Sequence, residues 1–204
     1  MFRAQTLLEG KWPILILVGL SVAAGLWWVP AMVVPGLLLV FTISFFRDPQ
    51  RVIPADPQAI VSAADGKVVE IRTTPTGPMV AIFLSVFNVH TQRAPVAGRI
   101  TAVSYHPGKF LDVRNPKCSV ENENRVVVIT GADGFQVTVR QIAGLIARRI
   151  VAWKVEGDTL AKGEHLGMIR FGSRVELSLP AGTEILVKIG DVAKGGETIV
   201  ARRR

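Results

Sequence analysis

The sequence predicts a mainly β protein, a β-rich α+β fold of antiparallel sheets preceded by an N-terminal apolar helical hairpin. Three observations predict it. An uncharged run of 35 residues lies between Lys11 and Arg47. From about residue 55, short runs rich in Val and Ile alternate with Gly, Pro, Asn and Asp, the pattern of strands and turns. The C-terminal quarter repeats itself at an offset of 33 residues. A chain of 204 residues can bury a core without disulfides and still carry an appendage. We therefore expect a membrane-associated anchor over residues 1–52 and a β-rich domain over residues 53–204.

The apolar run justifies the first element. As one straight helix it would be about 50 Å long, against a hydrocarbon core of about 30 Å. Pro30 and Pro35 fall in its middle and break or kink a helix, and Trp27 and Trp28 beside them suit a membrane interface. A hairpin with its tip near Trp28 to Gly36 and a kinked single span both fit these residues. Arg3 and Lys11 flank one end, and Arg47 and Arg51 the other. The tendency of basic flanks to stay in the cytoplasm places both ends there and favours the hairpin. The net charge of +8 suits anionic lipid. With one Tyr and no interleaving of basic and aromatic residues, single-stranded nucleic acid is not the expected partner. A single cysteine, Cys118, excludes an intramolecular disulfide and reads as an inert thiol, with no neighbours spaced for a metal.

The strand elements follow in order: "KVVEIRTT", "PMVAIFLSV", "GRITAVSYH", "NRVVVIT" and "FQVTVRQI". Asp133-Gly134 between the last two is a hairpin signal. A short helix is expected at "QIAGLIARR" (141–149). In the repeat, "EGDTLAKGEHLGMI" aligns with "IGDVAKGGETIVAR", so that Gly157, Asp158, Gly163 and Glu164 match Gly190, Asp191, Gly196 and Glu197. Two such units folding on each other would give a small flattened barrel-sandwich, similar to biotinyl and lipoyl carrier domains. Those carriers place a modifiable Lys between the copies; this chain places "RFGSRVE" there.

On local sequence alone, Gly172-Ser173 reads as a β-bulge with a solvent-facing Ser. Its position between the copies suggests chemistry. A Ser on a strained Gly-X backbone can attack the preceding carbonyl and turn the amide into an ester. A base can then remove the Ser α-proton and eliminate the ester, leaving dehydroalanine, which hydrolyses to a pyruvoyl group. The step needs a general base and oxyanion stabilisation. Of the three histidines, His106 and His165 sit at turns and read as solvated, whereas His90 ends an apolar strand-like run in "FLSVFNVHTQRAP". Asp65, in "IVSAADGKVVEI", could orient a His but reads locally as an ordinary Asp-Gly turn. Spacing alone does not bring Asp65, His90 and Ser173 together.

Taken as an ordered set, "FFRDPQR", "SAADGKV", "FLSVFNVHTQRAPVAG", "HPGKF" and "VEGDTLAKGEHLGMIRFGSRVEL" resemble the phosphatidylserine decarboxylase proenzymes in their short bacterial and archaeal form. The resemblance implies a cut at Gly172-Ser173 into a β chain of 1–172 and an α chain of 173–204, which remain together as a heterodimer. Ser173 would be the nucleophile and then the pyruvoyl group, a covalent cofactor that needs no metal. Asp65 and His90 would assist the cut, and His90 would also serve the decarboxylation. The pyruvoyl carbonyl would form a Schiff base with phosphatidylserine and release CO2 to give phosphatidylethanolamine, at the cytoplasmic face of the cell membrane. A higher homo-oligomer stays open. Two departures stand out: Arg174 follows the Ser where the long form often has Thr, and Asn88 and Arg93 replace an Asp and a His of the long form. Other readings of the same residues are a membrane-anchored serine hydrolase or peptidase using Ser173, the same decarboxylation on an ether-linked phosphoserine lipid, and a non-enzymatic tethered module.

Overall fold

A computed structural model describes residues 3–112, 115, 117–145, 149–170 and 173–203. The chain forms two units, residues 1–50 and 51–204. The first is helical: α1 (Ala4–Glu9), α2 (Lys11–Trp27), a 3-10 turn (Val29–Met32) and α3 (Val33–Phe45). Trp28 breaks α2 with an extended backbone (φ −161°, ψ 113°), and Pro30 opens the 3-10 turn. Pro13 and Pro35 each sit third in their helix, where the missing N–H would have had no intrahelical acceptor. Ile43 lines the same apolar depression as Leu7, Ile14 and Leu15, so α3 returns toward the start of α2. Gly10 makes room there: a Cβ on it would sit 2.4 Å from the Phe46 ring. Ser21 and Thr42 donate to the carbonyls of Leu17 and Leu38 at 2.7 and 2.8 Å, so each hydroxyl is satisfied within its own helix. No described helix is long and apolar enough to cross a membrane. At 17 and 13 residues, α2 and α3 reach only about 26 and 20 Å.

The second unit is β-rich. Its strands are β1 (Ala59–Val61), β2 (Gly66–Thr74), β3 (Gly77–Leu84), β4 (Thr91–Arg93), β5 (Gly98–His106), β6 (Asn124–Thr130), β7 (Gln136–Ala143), β8 (Ile150–Ala152), β9 (Thr159–Leu160), β10 (His165–Ile169), β11 (Ser173–Ser178), β12 (Glu184–Ile185), β13 (Val192–Ala193) and β14 (Ile199–Arg202), with one short helix, α4 (Cys118–Glu121). An eight-stranded sheet runs β13-β2-β3-β11-β7-β6-β5-β9, and two three-stranded sheets run β1-β14-β12 and β4-β10-β8. All their pairings are antiparallel. Alternate residues of the large sheet, among them Val68, Ile82, Val127, Val139, Val175 and Leu177, build the main apolar core.

The internal repeat is real but packs differently from the expectation. The strands of the two copies do not pair with each other, and there is no closed barrel among the described residues. Each copy pairs with its own earlier segment. Gly190 N–H donates to Val68 O (2.8 Å) and Gly196 N–H to Ser62 O (2.8 Å); Gly157 N–H donates to Ile100 O (2.9 Å) and Gly163 N–H to Ala94 O (2.8 Å). All four glycines have φ between +80° and +101°, a backbone that other residues avoid. As a result β13 and β9 lie at opposite edges of the large sheet, and β14 and β10 lie in different small sheets.

One further expectation changes and another holds. Gln141 to Ala143 complete β7 instead of starting a helix, because β7 is held on both sides by β6 and β11; residues 146–148 of that stretch lie outside the described residues. The hairpin at Asp133-Gly134 forms as expected, with Gly134 at φ +81°.

Candidate active site

Residues 167–182 do not form one strand with a bulge. β10 ends at Ile169 in a small sheet, and β11 begins at Ser173 in the centre of the large one. The chain changes sheets between them. Gly172, the other half of the expected cleavage bond, lies outside the described residues, as does Phe171. Ser173 is fully buried, flanked by Leu84 on β3 and Ala143 on β7. It shares the core-facing side of β11 with Val175 and Leu177. Its Oγ has no hydrogen-bond partner among the described residues. An orphaned buried hydroxyl costs about 1–3 kcal/mol, so its retention calls for a reason.

His90 reaches the same junction from the other side. It lies in the connection from β3 to β4 and is fully buried. Its Nδ1 stands 2.9 Å from Asn88 O. A carbonyl only accepts, so Nδ1 carries the proton and Nε2 is the basic nitrogen of the neutral ring. Asn88 itself is fixed by its side-chain oxygen, which accepts from Ser85 N–H and Oγ, both at 2.8 Å. His90 O accepts Ile169 N–H at 3.2 Å, and Leu84 pairs with Ser173. The stretch from Leu84 to His90 is thus pinned at both ends to the stretch from Ile169 to Ser173.

Asp65 has other partners. It lies on the turn between β1 and β2 and accepts from Arg51 Nη2 at 2.9 and 2.8 Å and from Gly195 N–H at 2.8 Å. It makes no hydrogen bond to His90 among the described residues. Its link to the site is indirect: Ala63 O, on the same turn, accepts Arg93 N–H at 2.8 Å, on the strand that follows His90. Of the remaining histidines, His106 is exposed, whereas His165 is half-buried with its ring 6.0 Å edge-on to Trp153, so it is not simply solvated.

Sequence reasoning missed two buried polar systems. The first starts at His90. Gln92 Nε2 donates to His90 O (2.8 Å), Gln141 Nε2 to Gln92 Oε1 (2.8 Å), and Arg125 to Gln141 Oε1 (3.0 Å) and to Lys154 O (2.6 Å). Burial pushes the Arg125 guanidinium below its ordinary value. The second lies on the opposite face of the large sheet from Ser173. Arg174 donates from Nε to Glu176 Oε1 (3.0 Å) and from Nη2 to Glu70, and Ser119 Oγ donates to Glu176 Oε1 (2.7 Å). The only trace in the sequence is a pair of opposite charges two apart, Arg174 and Glu176, in an otherwise apolar strand. Among the described residues no group of His, Cys, Asp and Glu is placed to hold a metal ion.

The family model for phosphatidylserine decarboxylase matches residues 38–201, which takes in nearly the whole β-rich unit. The chain belongs to the phosphatidylserine decarboxylase family. The phosphatidylserine decarboxylase proenzyme of Burkholderia ambifaria is 47% identical over 171 residues, 81% of this chain and 80% of the relative. That of Burkholderia multivorans is 48% identical over the same shares, and that of Pelobacter propionicus 44% identical over 81% of this chain and 78% of the relative. These relatives are named as proenzymes, a word that suits a buried serine at a sheet-to-sheet junction.

Proposed function

We propose that the chain is a phosphatidylserine decarboxylase that makes its own pyruvoyl group by cutting itself between Gly172 and Ser173. The observation that carries this reading is Ser173, fully buried at the head of the central strand with an orphaned Oγ, at a junction that also holds His90. In this reading, Ser173 is the nucleophile. Its Oγ forms a bond to the Gly172 carbonyl carbon as the amide C–N bond breaks, and His90 Nε2 takes the hydroxyl proton and returns it to the departing Ser173 nitrogen, which becomes a free amine. The Asn88 carbonyl holds the His90 tautomer that can do so. Removal of the Ser173 α-proton then expels the Gly172 carboxylate, and water releases ammonia from the new chain end.

The residues present fit a pyruvoyl group. Ser173 sits in an apolar, water-poor position between Leu84 and Ala143, where a carbonyl needs no charged partner. Once formed, the group supplies the electron sink for loss of CO2. The chain's part is to bind the lipid amine beside Ser173, to keep water away and to return a proton from His90 Nε2. Asp65 assists as a positioning residue, through the turn that holds the strand after His90. The resulting chains, 1–172 and 173–204, stay together. The helices of residues 1–50 form the membrane-associated hairpin: their outward side chains, such as Leu15, Ile16, Leu37 and Val40, are exposed and apolar. Arg3, Lys11, Arg47 and Arg51 favour the cytoplasmic face. Phosphatidylserine supplies the serine amine and carboxylate that the reaction consumes.

The test is the mass of the denatured protein beside Ser173→Ala. Wild type should give two fragments, the smaller beginning with a pyruvoyl in place of Ser173, and Ser173→Ala one intact chain. An uncut, active wild type would overturn the reading and point to a hydrolase that uses Ser173 directly.

A further inference from the structure

We propose that Arg174 is a positioning residue that holds the head of β11 in register after the bond before Ser173 is broken; this rests on the self-cleavage reading above. In the intact chain, β11 is fixed at its start by the covalent link back to β10. Cutting before Ser173 turns the first residue of a central strand into a chain end, and chain ends fray. A frayed Ser173 position would move the reactive carbonyl within the site.

The geometry on the other face of the sheet opposes this. Arg174 and Glu176 belong to the segment 173–204, whereas Glu70, Ser119 and Arg140 belong to 1–172. Arg174 is 7% exposed and bridges Glu176 on its own strand and Glu70 on β2, two strands away. The strand between them allows the crossing: Ala81 of β3 pairs with both Glu176 and Glu70 and presents only a methyl group on that face. Glu176 is held in turn by Ser119 Oγ at 2.7 Å and faces Arg140 Nη1 at 3.7 Å. The planar, many-donor guanidinium can bind two carboxylates at once, and an ammonium on a flexible stem fixes them less well. The hydrogen bonds and charges of Glu70 and Glu176 keep Arg174 protonated against the opposing effect of burial. The crosslink therefore joins the two future chains one residue from the new terminus.

A purely structural ion cluster would matter equally before and after the cut, and this difference supplies the test. Arg174→Met and Glu70→Gln are each made in the self-cleaving chain and in the uncleavable Ser173→Ala chain. Hydrogen exchange is read at the Val175, Glu176 and Leu177 amides. In the cut protein, exchange should quicken about ten-fold or more, the scale of a lost charged hydrogen bond, and in the uncut protein by less than about three-fold. Turnover on phosphatidylserine vesicles should fall with KM little changed, and Arg174→Lys should restore part of both losses. Equal exchange in the two backgrounds, or no change in either, overturns the proposal. So does a folded Arg174→Met or Glu70→Gln chain that no longer cuts itself, which would place the residue's role before cleavage. An uncut wild type would overturn the self-cleavage reading first, and is recognised separately from its mass.

Discussion

Replacing Asp65 with Asn tests whether that side chain is anchored as the structure places it. One Arg51 nitrogen reaches both carboxylate oxygens, at 2.9 and 2.8 Å, and the side chains are 6% and 13% exposed. Breaking a buried pair by removing one partner costs about 3–5 kcal/mol. Two features lower that here: Asp65 keeps some contact with solvent, and Glu197 stands 3.8 Å from Arg51 Nη1 as a reserve partner. Asp65→Asn retains the shape and the acceptor for Gly195 N–H, so its cost is confined to the Arg51 pairing, the charge together with the second acceptor oxygen. We expect about 2–4 kcal/mol for Asp65→Asn, a similar loss for Arg51→Met, and little more than either for the double variant. The coupling energy is then about 2 kcal/mol or more. The assay is urea unfolding of the full chain in detergent, in the Ser173→Ala background so that one uncut polypeptide is followed. Losses that add to within about 0.5 kcal/mol would refute the reasoning, because independent sites add in that way.

Two other predictions rest on different parts of the fold. Gly66 has φ +149°, and a Cβ there would lie 2.1 Å from Phe83 O, so Gly66→Ala should cost about 3 kcal/mol and lower the Tm by about 6–12 °C; an unchanged Tm would mean the turn is placed wrongly. Cys118 is fully buried, and burial is the main cause that raises its thiol pKa. The folded state then keeps the proton longer than the unfolded chain. The associated stability is complete below the ordinary thiol value and is lost as pH rises through the window above it. The alkaline fall in the unfolding midpoint should be shallower in Cys118→Ala, and a thiol reagent should label wild type only once urea unfolds it.

The sequence carried the local chemistry better than the long-range pairing. Ser173 and His90 stand in short stretches whose residue types suit the proposed self-cleavage, and glycines such as Gly134 and Gly157 announce turns because their backbones demand them. The repeat was visible only in its C-terminal halves. Their partners, residues 59–68 and 91–100, share strand pairing but little beyond Gly66 and Gly98, since backbone hydrogen bonds leave side chains free to differ. The helix expected at 141–149 lost to the ladder on either side of β7, where tertiary pairing overrides local propensity. Gln92, Gln141, Arg125 and Glu70 could not be singled out, because a buried polar residue is defined by what it meets. Their partners lie 16, 49 and 104 residues away along the chain.

The strand order has a consequence for the order of events in the life of the molecule. The segment from Ser173 onward supplies the middle strand of the large sheet, one of its two edges, and β14, which lies against β1. Synthesised alone, it would offer β11 with both edges bare, a template for aggregation. Removed from the assembly, it would leave β3 and β7 facing an empty lane. On the self-cleavage reading the fold must therefore close before the cut, and the cut would be a one-way door: the shorter piece would stay enclosed by the longer one, and two separately made pieces should not find the same arrangement again.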